Sequence, residues 1–189
     1  MTTVSMFDVI AVTGTSHNGS RFCLVCSLGS APVMVAFVQP SALDKPGLLE
    51  ALQVISDTYK LLQVVVVCLA APSDALEQKL REIAEVKKLR IPLAVLPNGE
   101  LPASLPVNPS AENTVLLYRG RRIRRQFENV DLTTFDLANL PSGETPVGER
   151  WTGPIEGGAA SLAPTPADNE MGKVYGELNE AAADLVSGL

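Results

Sequence analysis

Two cysteines separated by two residues, Cys23 and Cys26, form the pair in this chain whose spacing most directly suggests chemistry. A Cys-x-x-Cys pair can cycle between a dithiol and a disulfide and so exchange electrons with other thiols. It can also supply half of a metal site, for which His17 and Cys68 are the only other His and Cys in the sequence. In a third interpretation the pair is a structural disulfide or two buried, inert thiols. The sequence leaves all three roles open.

The composition removes several other classes of site. The 189 residues contain one His, one Trp and three Cys, so there is no histidine cluster for a zinc enzyme and no framework of several disulfides. Aromatic residues make up 5% of the chain, which leaves little surface for stacking nucleic-acid bases. Cys68 lies in the apolar run VVVVCL and is predicted to be a core residue, whereas His17 lies in the polar turn GTSHNG. No glycine-rich phosphate loop joins a strand to a helix, so no cofactor is predicted.

Basic residues are concentrated in one short segment on either side of a single glycine. Five of the fifteen fall there: Arg119, Arg121, Arg122, Arg124 and Arg125. On a regular strand, Arg122 and Arg124 would point to one face, and Arg121 and Arg125 to the other. Charge on both faces is typical of an edge strand protected against aggregation. The alternative is that the last four of these arginines bind a partner or the chain's own acidic end.

The charge of the chain is divided unevenly along its length. Residues 1–125 contain 13 basic and 10 acidic residues, a net charge of +3, whereas residues 126–189 contain 2 and 11, a net charge of −9. This division favours a folded body joined to an acidic tail. An acidic tail repels phosphate, so nucleic acid is not predicted as a partner.

The Pro and Gly content predicts three parts in the chain. Residues 1–140 form a folded domain, residues 141–170 a flexible linker, and residues 171–189 an amphipathic helix. Trp151, the only tryptophan, lies in the linker and is a candidate for docking on a partner or on the domain. In the last part, Tyr175, Leu178 and Leu185 share one helix face. They are candidate partner-binding residues, and the alternative is that this helix folds back on its own domain.

Hydrophobic patterns predict an α/β domain with a mixed sheet flanked by helices. Strands are predicted at residues 7–13, 21–25, 33–38, 64–69, 91–96, 114–118 and 121–127, and helices at 48–62 and from Ser73 or Asp74 to 86. Pro92 requires its strand to start late or to lie at an edge. The two β-α-β units require parallel strands, whereas the hairpins at either end add antiparallel ones.

The order of elements from residue 7 to residue 130 resembles the thioredoxin fold. The variety is the one with an N-terminal hairpin, found in peroxiredoxins and in thiol-oxidoreductases of cytochrome maturation. PVMVAFVQPSALDKPGLLEALQVI is similar to their strand-loop-helix opening, and VVVVCLAAPSDALEQKLREIAEVKKLRIPLAVL to their central strand, helix and next strand. ENTVLLYRGRRIRRQFENV is similar to their closing hairpin, and FDVIAVTG, CLVC and GSAPV resemble segments of divergent bacterial members.

The departures from this resemblance concern its active site. In the family, the reactive cysteines follow the first buried strand, where this chain reads QPSALDKPG and has no cysteine. A cis-proline normally precedes the closing hairpin, and Asn113 stands near that place. The resemblance therefore implies a member that lacks the usual active-site cysteines. We expect a non-catalytic binding or assembly protein that docks on a larger complex through its C-terminal segment and basic hairpin.

Two other functions remain as alternatives. Cys23 and Cys26 could form the site of a thiol-disulfide oxidoreductase, or the chain could be a metal-binding accessory protein. The expected partner is a single protein or a multi-subunit complex. No integral membrane segment is predicted, because Gly29, Ser30 and Pro32 interrupt the apolar stretch between residues 22 and 38. The expected location is the cytoplasm, with an exported protein whose leader has been removed as the alternative.

Overall fold

The computed structural model describes residues 3–16, 18–130 and 170–187. Within these residues, the chain forms seven strands and four α-helices. The strands are β1 (Asp8–Thr13), β2 (Arg21–Cys23), β3 (Pro32–Val38), β4 (Gln63–Cys68), β5 (Leu93–Val95), β6 (Asn113–Arg119) and β7 (Arg122–Glu128). The helices are α1 (Leu24–Leu28), α2 (Leu48–Thr58), α3 (Asp74–Val86) and α4 (Glu170–Ser187).

One mixed sheet contains all seven strands, in the order β2-β1-β5-β4-β3-β6-β7. The three central strands β5, β4 and β3 are parallel, and the hairpins β1-β2 and β6-β7 extend the sheet antiparallel at its two edges. The predicted class, a mixed sheet flanked by helices, is confirmed. Pro92 lies immediately before β5, which is an inner strand, so the proline delays the start of the strand rather than placing it at an edge.

The two faces of the sheet are buried in two separate cores because side chains alternate along each strand. On β3, Met34 and Ala36 belong to the first core, which α2, α3 and α4 cover. Val35 and Phe37 belong to the second core, together with Leu24 of α1 and apolar residues of the long loop before β6. The continuous run VMVAFV is apolar at every position because both faces are covered.

The C-terminal helix α4 packs against the first face of the sheet, where it contacts β3, β6 and α2. Leu178 and Ala182 are fully buried, and Leu185 is 6% exposed. The helix predicted at residues 171–189 is therefore seen as Glu170–Ser187, folded back on the domain. The linker predicted at residues 141–170 lies outside the described residues, apart from Glu170.

The structure differs from the sequence interpretation at the first hairpin. The sequence predicts a return strand over residues 21–25, but β2 ends at Cys23 and α1 begins at Leu24. A helix of five residues is too short to produce a repeating pattern of apolar positions, so no periodic signal announces it. The Cys-x-x-Cys pair therefore spans the end of β2 and the first turn of α1, with Cys23 as the last strand residue and Cys26 in the helix.

Candidate functional site

The local geometry of the cysteine pair follows from how β2 passes into α1. Leu24 donates its backbone N–H to the carbonyl oxygen of Phe7 at 3.1 Å, which holds the turn against the start of β1. The side chains of Leu24 and Val25 are each 2% exposed and enter the second core. Because a helical turn advances about 100° per residue, burial of these two side chains leaves Cys26 on the solvent side.

Cys23 is the N-cap residue of α1, and its sulfur takes the part that a hydroxyl or carboxylate oxygen usually plays. The backbone N–H of Cys26 donates a hydrogen bond to Cys23 Sγ across 3.2 Å. A disulfide bond joins the two sulfurs, with Cα atoms 5.3 Å apart. Cys26 is exposed, whereas Cys23 is half-buried at the rim of the second core.

This arrangement is suited to thiol-disulfide exchange. An incoming thiolate can approach Cys26, because its residue is exposed, more easily than it can approach Cys23. If the bond breaks there, the negative charge is left on Cys23 Sγ, where the Cys26 N–H already points. A hydrogen bond to an anion is stronger than one to a neutral acceptor, so the N–H favours this direction of cleavage.

The third cysteine has a different environment. Cys68 is fully buried in the first core at the end of β4, the opposite side of the sheet from the disulfide. Burial raises the pKa of the Cys68 thiol to about 11, although the charge of Lys79 opposes the shift. The thiol therefore stays protonated near neutral pH, and the prediction of a core cysteine agrees with this position.

The candidate metal ligands do not come together in the structure. Cys68 and the Cys23–Cys26 pair belong to different cores, and His17 lies outside the described residues. Among residues 3–16, 18–130 and 170–187, no three His, Cys, Asp or Glu side chains cluster in a way that could hold a metal ion.

The resemblance implies reactive cysteines in the loop after β3. In this chain a residue of that loop forms a hydrogen bond to the long loop before β6 instead. Gln39 donates its side-chain Nε2 to the carbonyl oxygen of Pro109 at 2.7 Å. Asn113, near the place of the family's proline, exchanges two hydrogen bonds with the backbone of Val130, at 2.9 and 2.8 Å. The expectation of a member that lacks the usual active-site cysteines is nevertheless contradicted, because a Cys-x-x-Cys pair is present, at the start of α1 instead of after β3.

The arginines of the closing hairpin are arranged differently from the sequence expectation. A register shift after Leu117 makes Leu117 pair with Arg125 and Tyr118 with Ile123, so Arg124 is an extra residue on β7. As a result, Arg124 and Arg125 both line one cleft of about 330 Å³ beside Asp184 of α4. The regular alternation that would separate them is broken by this bulge.

The remaining predicted partner-binding residues are in three situations. Arg122 is the first residue of β7 and Arg121 precedes it in the turn, and the two lie beside the N-terminal residues Thr3 and Val4. Leu178 and Leu185 are buried under the sheet and so present no surface in this conformation. Tyr175 lies in α4 but its side chain is not among those described, and Trp151 lies outside the described residues. A role for any of these residues in partner binding stays a prediction.

A cleft of about 780 Å³ opens next to α1, between that helix and the starts of β4 and β5. Leu24 and Leu28 line it on one side, and Asp57 and Arg90 on the other. Burial alone would raise the pKa of Asp57, but hydrogen bonds from Gln53 and Arg90 and the nearby positive charges hold it below its usual value. The sequence analysis missed this cleft, because its lining residues are distant in sequence.

Comparison with known proteins identifies the fold. No protein-family model matches this sequence, and a search of curated proteins gives no match. Among solved structures, peroxidoxin BcpB from Mycobacterium tuberculosis is similar, with a TM-score of 0.52, 17% identity, and coverage of 69% of this chain and 86% of that one. The C-terminal domain of a Bacteroides thetaiotaomicron protein assigned as a thiol-disulfide oxidoreductase gives 0.52 at 10% identity, with the same coverage of both chains.

A third structure, a protein from Bacteroides thetaiotaomicron assigned as a protein disulfide isomerase, has a TM-score of 0.51 at 13% identity. The match covers 79% of that protein and 69% of this chain. At these identities the likeness concerns architecture alone. The fold is thioredoxin-like, as the resemblance implies. None of the described helices is both long enough and apolar enough to cross a bilayer.

The expectation of a non-catalytic binding and assembly protein is contradicted. It depended on the missing cysteines after β3 and on placing Cys23 and Cys26 on the strand or turn before Val33, away from any helix N-terminus that could activate a thiol. The structure joins the two cysteines at the start of α1, exposes Cys26, and directs a backbone N–H at Cys23 Sγ. The findings therefore favour the redox alternative.

Proposed function

We propose that this chain is a thiol-disulfide oxidoreductase whose reactive group is the Cys23–Cys26 disulfide. The observation that carries the proposal is the asymmetry of the pair. Cys26 is exposed, and its own backbone N–H donates to Cys23 Sγ at 3.2 Å. The same hydrogen bond that caps α1 stabilises the thiolate that forms when the disulfide opens.

The exchange proceeds in two displacement steps. A substrate thiolate attacks Cys26 Sγ, forms a mixed disulfide with it, and expels Cys23 as a thiolate. The second thiolate of the substrate then attacks the first substrate sulfur in the mixed disulfide and expels Cys26 as a thiolate. The substrate dithiol loses two electrons and becomes a disulfide, the protein gains them as a dithiol, and the two thiol protons pass from the substrate sulfurs to Cys23 and Cys26 through solvent. The reverse sequence reduces a substrate disulfide.

The proposed partners of this reaction are protein thiols or disulfides. A location in the cytoplasm, predicted from the sequence, would keep the pair largely reduced, whereas an exported protein would keep it oxidised. The redox state of the pair in the cell therefore depends on the compartment as well as on the reduction potential of the pair.

The first experiment equilibrates the protein with glutathione buffers of graded potential and traps free thiols by alkylation, with mass spectrometry as the readout. We expect a two-electron transition between roughly −270 and −120 mV, the range of thiol-disulfide oxidoreductases. A pair that stays oxidised below about −300 mV is a structural disulfide, and the proposal then fails.

Two single variants test the assigned roles. In Cys23→Ser the exposed Cys26 thiol remains, so we expect it to form a stable mixed disulfide with oxidised glutathione. In Cys26→Ser the half-buried Cys23 thiol remains, and the same reaction should be about tenfold slower. Cys68→Ser is the matched control and should exchange like the unmodified chain, since the Cys68 thiol is buried and protonated. Equal rates for the two single variants would contradict the assignment of Cys26 as the attacked sulfur.

A further inference from the structure

The strand that leads into the disulfide lies at an open edge of the sheet. β2 is the outermost strand of the order and pairs with β1 on one side. Within residues 3–16, 18–130 and 170–187, no other strand pairs with its outer side. Cys23 is the last residue of this strand and at the same time the N-cap of α1.

The pattern of backbone bonds shows which groups of β2 point outward. Ala11 donates its N–H to the carbonyl oxygen of Ser20 at 3.3 Å, and Leu24 donates to that of Phe7 at 3.1 Å. In an antiparallel ladder, bonded and non-bonded pairs alternate. The pairs Asp8↔Cys23 and Ile10↔Arg21 are therefore non-bonded.

This alternation leaves backbone hydrogen-bonding groups available to a further strand. The N–H and carbonyl of Arg21 and the N–H of Cys23 point away from β1. They form a short template of two donors and one acceptor, which ends at the disulfide.

We propose that the outer edge of β2 binds an extended polypeptide segment as an added strand and so delivers a cysteine of that segment to Cys26. This inference rests on the proposed function and names its substrate class, which is an unfolded or extended polypeptide rather than a small thiol. A strand added here lies about 4.8 Å from β2. Cys26 itself is not on β2, but its Cα lies 5.3 Å from that of Cys23, the last residue of the strand, so an added strand that reaches this end brings its own residues near the exposed sulfur.

The recognition chemistry determines what kind of sequence such a site accepts. Backbone groups supply the contacts, and every non-proline residue carries the same N–H and carbonyl. The edge therefore selects an extended conformation and tolerates many sequences, which suits an enzyme that acts on unfolded chains. The electrons move as in the exchange above, with the polypeptide thiolate as the attacking group and Cys23 as the leaving thiolate.

The decisive experiment uses the unmodified protein and two synthetic peptides. Both carry one cysteine in a segment rich in β-branched residues, and the second is N-methylated at alternate backbone positions around it. N-methylation removes the N–H groups that would bond to the edge while it keeps the thiol. We expect the first peptide to form the mixed disulfide about tenfold faster than the second, with reduced glutathione as the reference thiol.

The outcomes separate the two proposals. Equal rates for the two peptides, with glutathione still reacting, would refute the edge site and leave the redox function intact. If neither peptide nor glutathione reacts with the disulfide, the proposed function itself fails.

A pair of variants tests the protein side of the same contact. Arg21→Pro removes one outward N–H at an edge position, where a strand tolerates proline because that N–H takes no part in the ladder. Arg21→Ala is the matched control, since it also removes the side chain but keeps the N–H. We expect Arg21→Pro to react with the unmodified peptide several-fold more slowly than Arg21→Ala, and both to react alike with glutathione. Identical peptide rates in two folded variants would overturn the proposal.

Discussion

The two edges of the sheet are built in opposite ways. The β7 edge has seven residues with Arg122, Arg124 and Arg125 among them. The N-terminal segment also crosses it, since Val4 donates its N–H to the carbonyl oxygen of Arg121 at 2.8 Å and Thr3 forms a bridge with Arg122. The β2 edge has three residues and runs directly into the Cys23–Cys26 disulfide.

The difference indicates what each edge is for. An exposed strand of seven residues is a template for aggregation, and charge and partial cover are common defences against it. A strand of three residues needs less defence, because few backbone groups are exposed. The β2 edge can therefore remain open to the proposed polypeptide substrate, and it is the edge that leads into the Cys23–Cys26 disulfide.

The edges also differ in the helices that pack beside them. The largest expected change in stability concerns α4, the helix nearest the β7 edge. α4 packs under β6, next to the β7 edge, through the fully buried Leu178. Leu178→Ala should lower the free energy of unfolding by about 3 kcal/mol, because it removes buried apolar surface and leaves a cavity. Denaturant unfolding of the full chain measures the loss.

Glu177→Ala is the control for this prediction, since Glu177 is an exposed neighbour in the same helix. Its effect should stay within about 0.5 kcal/mol. The disulfide exchange rate of Leu178→Ala should match that of the unmodified chain wherever the variant is folded. A loss below about 1 kcal/mol would mean that α4 contributes little to this side of the sheet.

The second prediction concerns how the β1-β2 hairpin is fixed to the sheet. Gly14 has a φ of +80°, and a Cβ added there would lie 2.7 Å from the Cα of Pro92. Gly19, at the other end of the same turn, has a φ of +82° with no atom within 4 Å of an added Cβ. Both substitutions by alanine strain the backbone, but only Gly14→Ala adds a collision with the start of β5.

We expect Gly19→Ala to cost about 1 kcal/mol and Gly14→Ala about 2 kcal/mol more. The two variants share the backbone strain, so the difference between them measures the close packing of the hairpin against β5. Thermal or denaturant unfolding provides the comparison. Equal losses would show that the hairpin can shift away from β5, and its edge would then be less well positioned than the structure indicates.

Much of the fold could be predicted from the sequence because its signals are long. β3 and β4 are continuous apolar runs, and α3 has both a serine cap at Ser73 and a regular apolar stripe. Such patterns persist over several residues and are determined by burial on one or two faces. The packing of α4 was left between two alternatives, since an amphipathic stripe is the same whether it covers its own sheet or another protein.

The candidate site was harder to predict because each of its features is local. Cys23 and Cys26 were recognised as a pair, but α1 is a single turn, and cysteine is not among the residues that normally indicate an N-cap. Without that turn, no group near the sulfurs could be named that stabilises a thiolate. The bulge on β7 was missed for a similar reason, since one extra residue in a strand leaves no composition signal.

The smallest expected effect concerns the ion pair of the β2 edge. Asp8 Oδ2 and Arg21 Nη2 lie 2.8 Å apart across the hairpin. The two side chains are 39% and 60% exposed, respectively. An exposed pair is worth little after side-chain ordering and screening by salt. Asp8→Asn should therefore reduce stability by less than about 0.5 kcal/mol, and by still less at high ionic strength.

The Asp8→Asn variant also tests whether the β2 edge recognises the peptide through backbone groups or through charged side chains. If the added strand is recognised by backbone groups, Asp8→Asn should leave the reaction with the extended peptide within about twofold of the unmodified chain. Arg21→Ala, which breaks the same pair from the other side, should behave alike. A large loss of peptide reactivity in both variants, with glutathione exchange unchanged, would show that recognition at the β2 edge depends on the Asp8–Arg21 ion pair and not on backbone groups alone. The two edges of the sheet would then no longer differ in the way charged side chains control access to them.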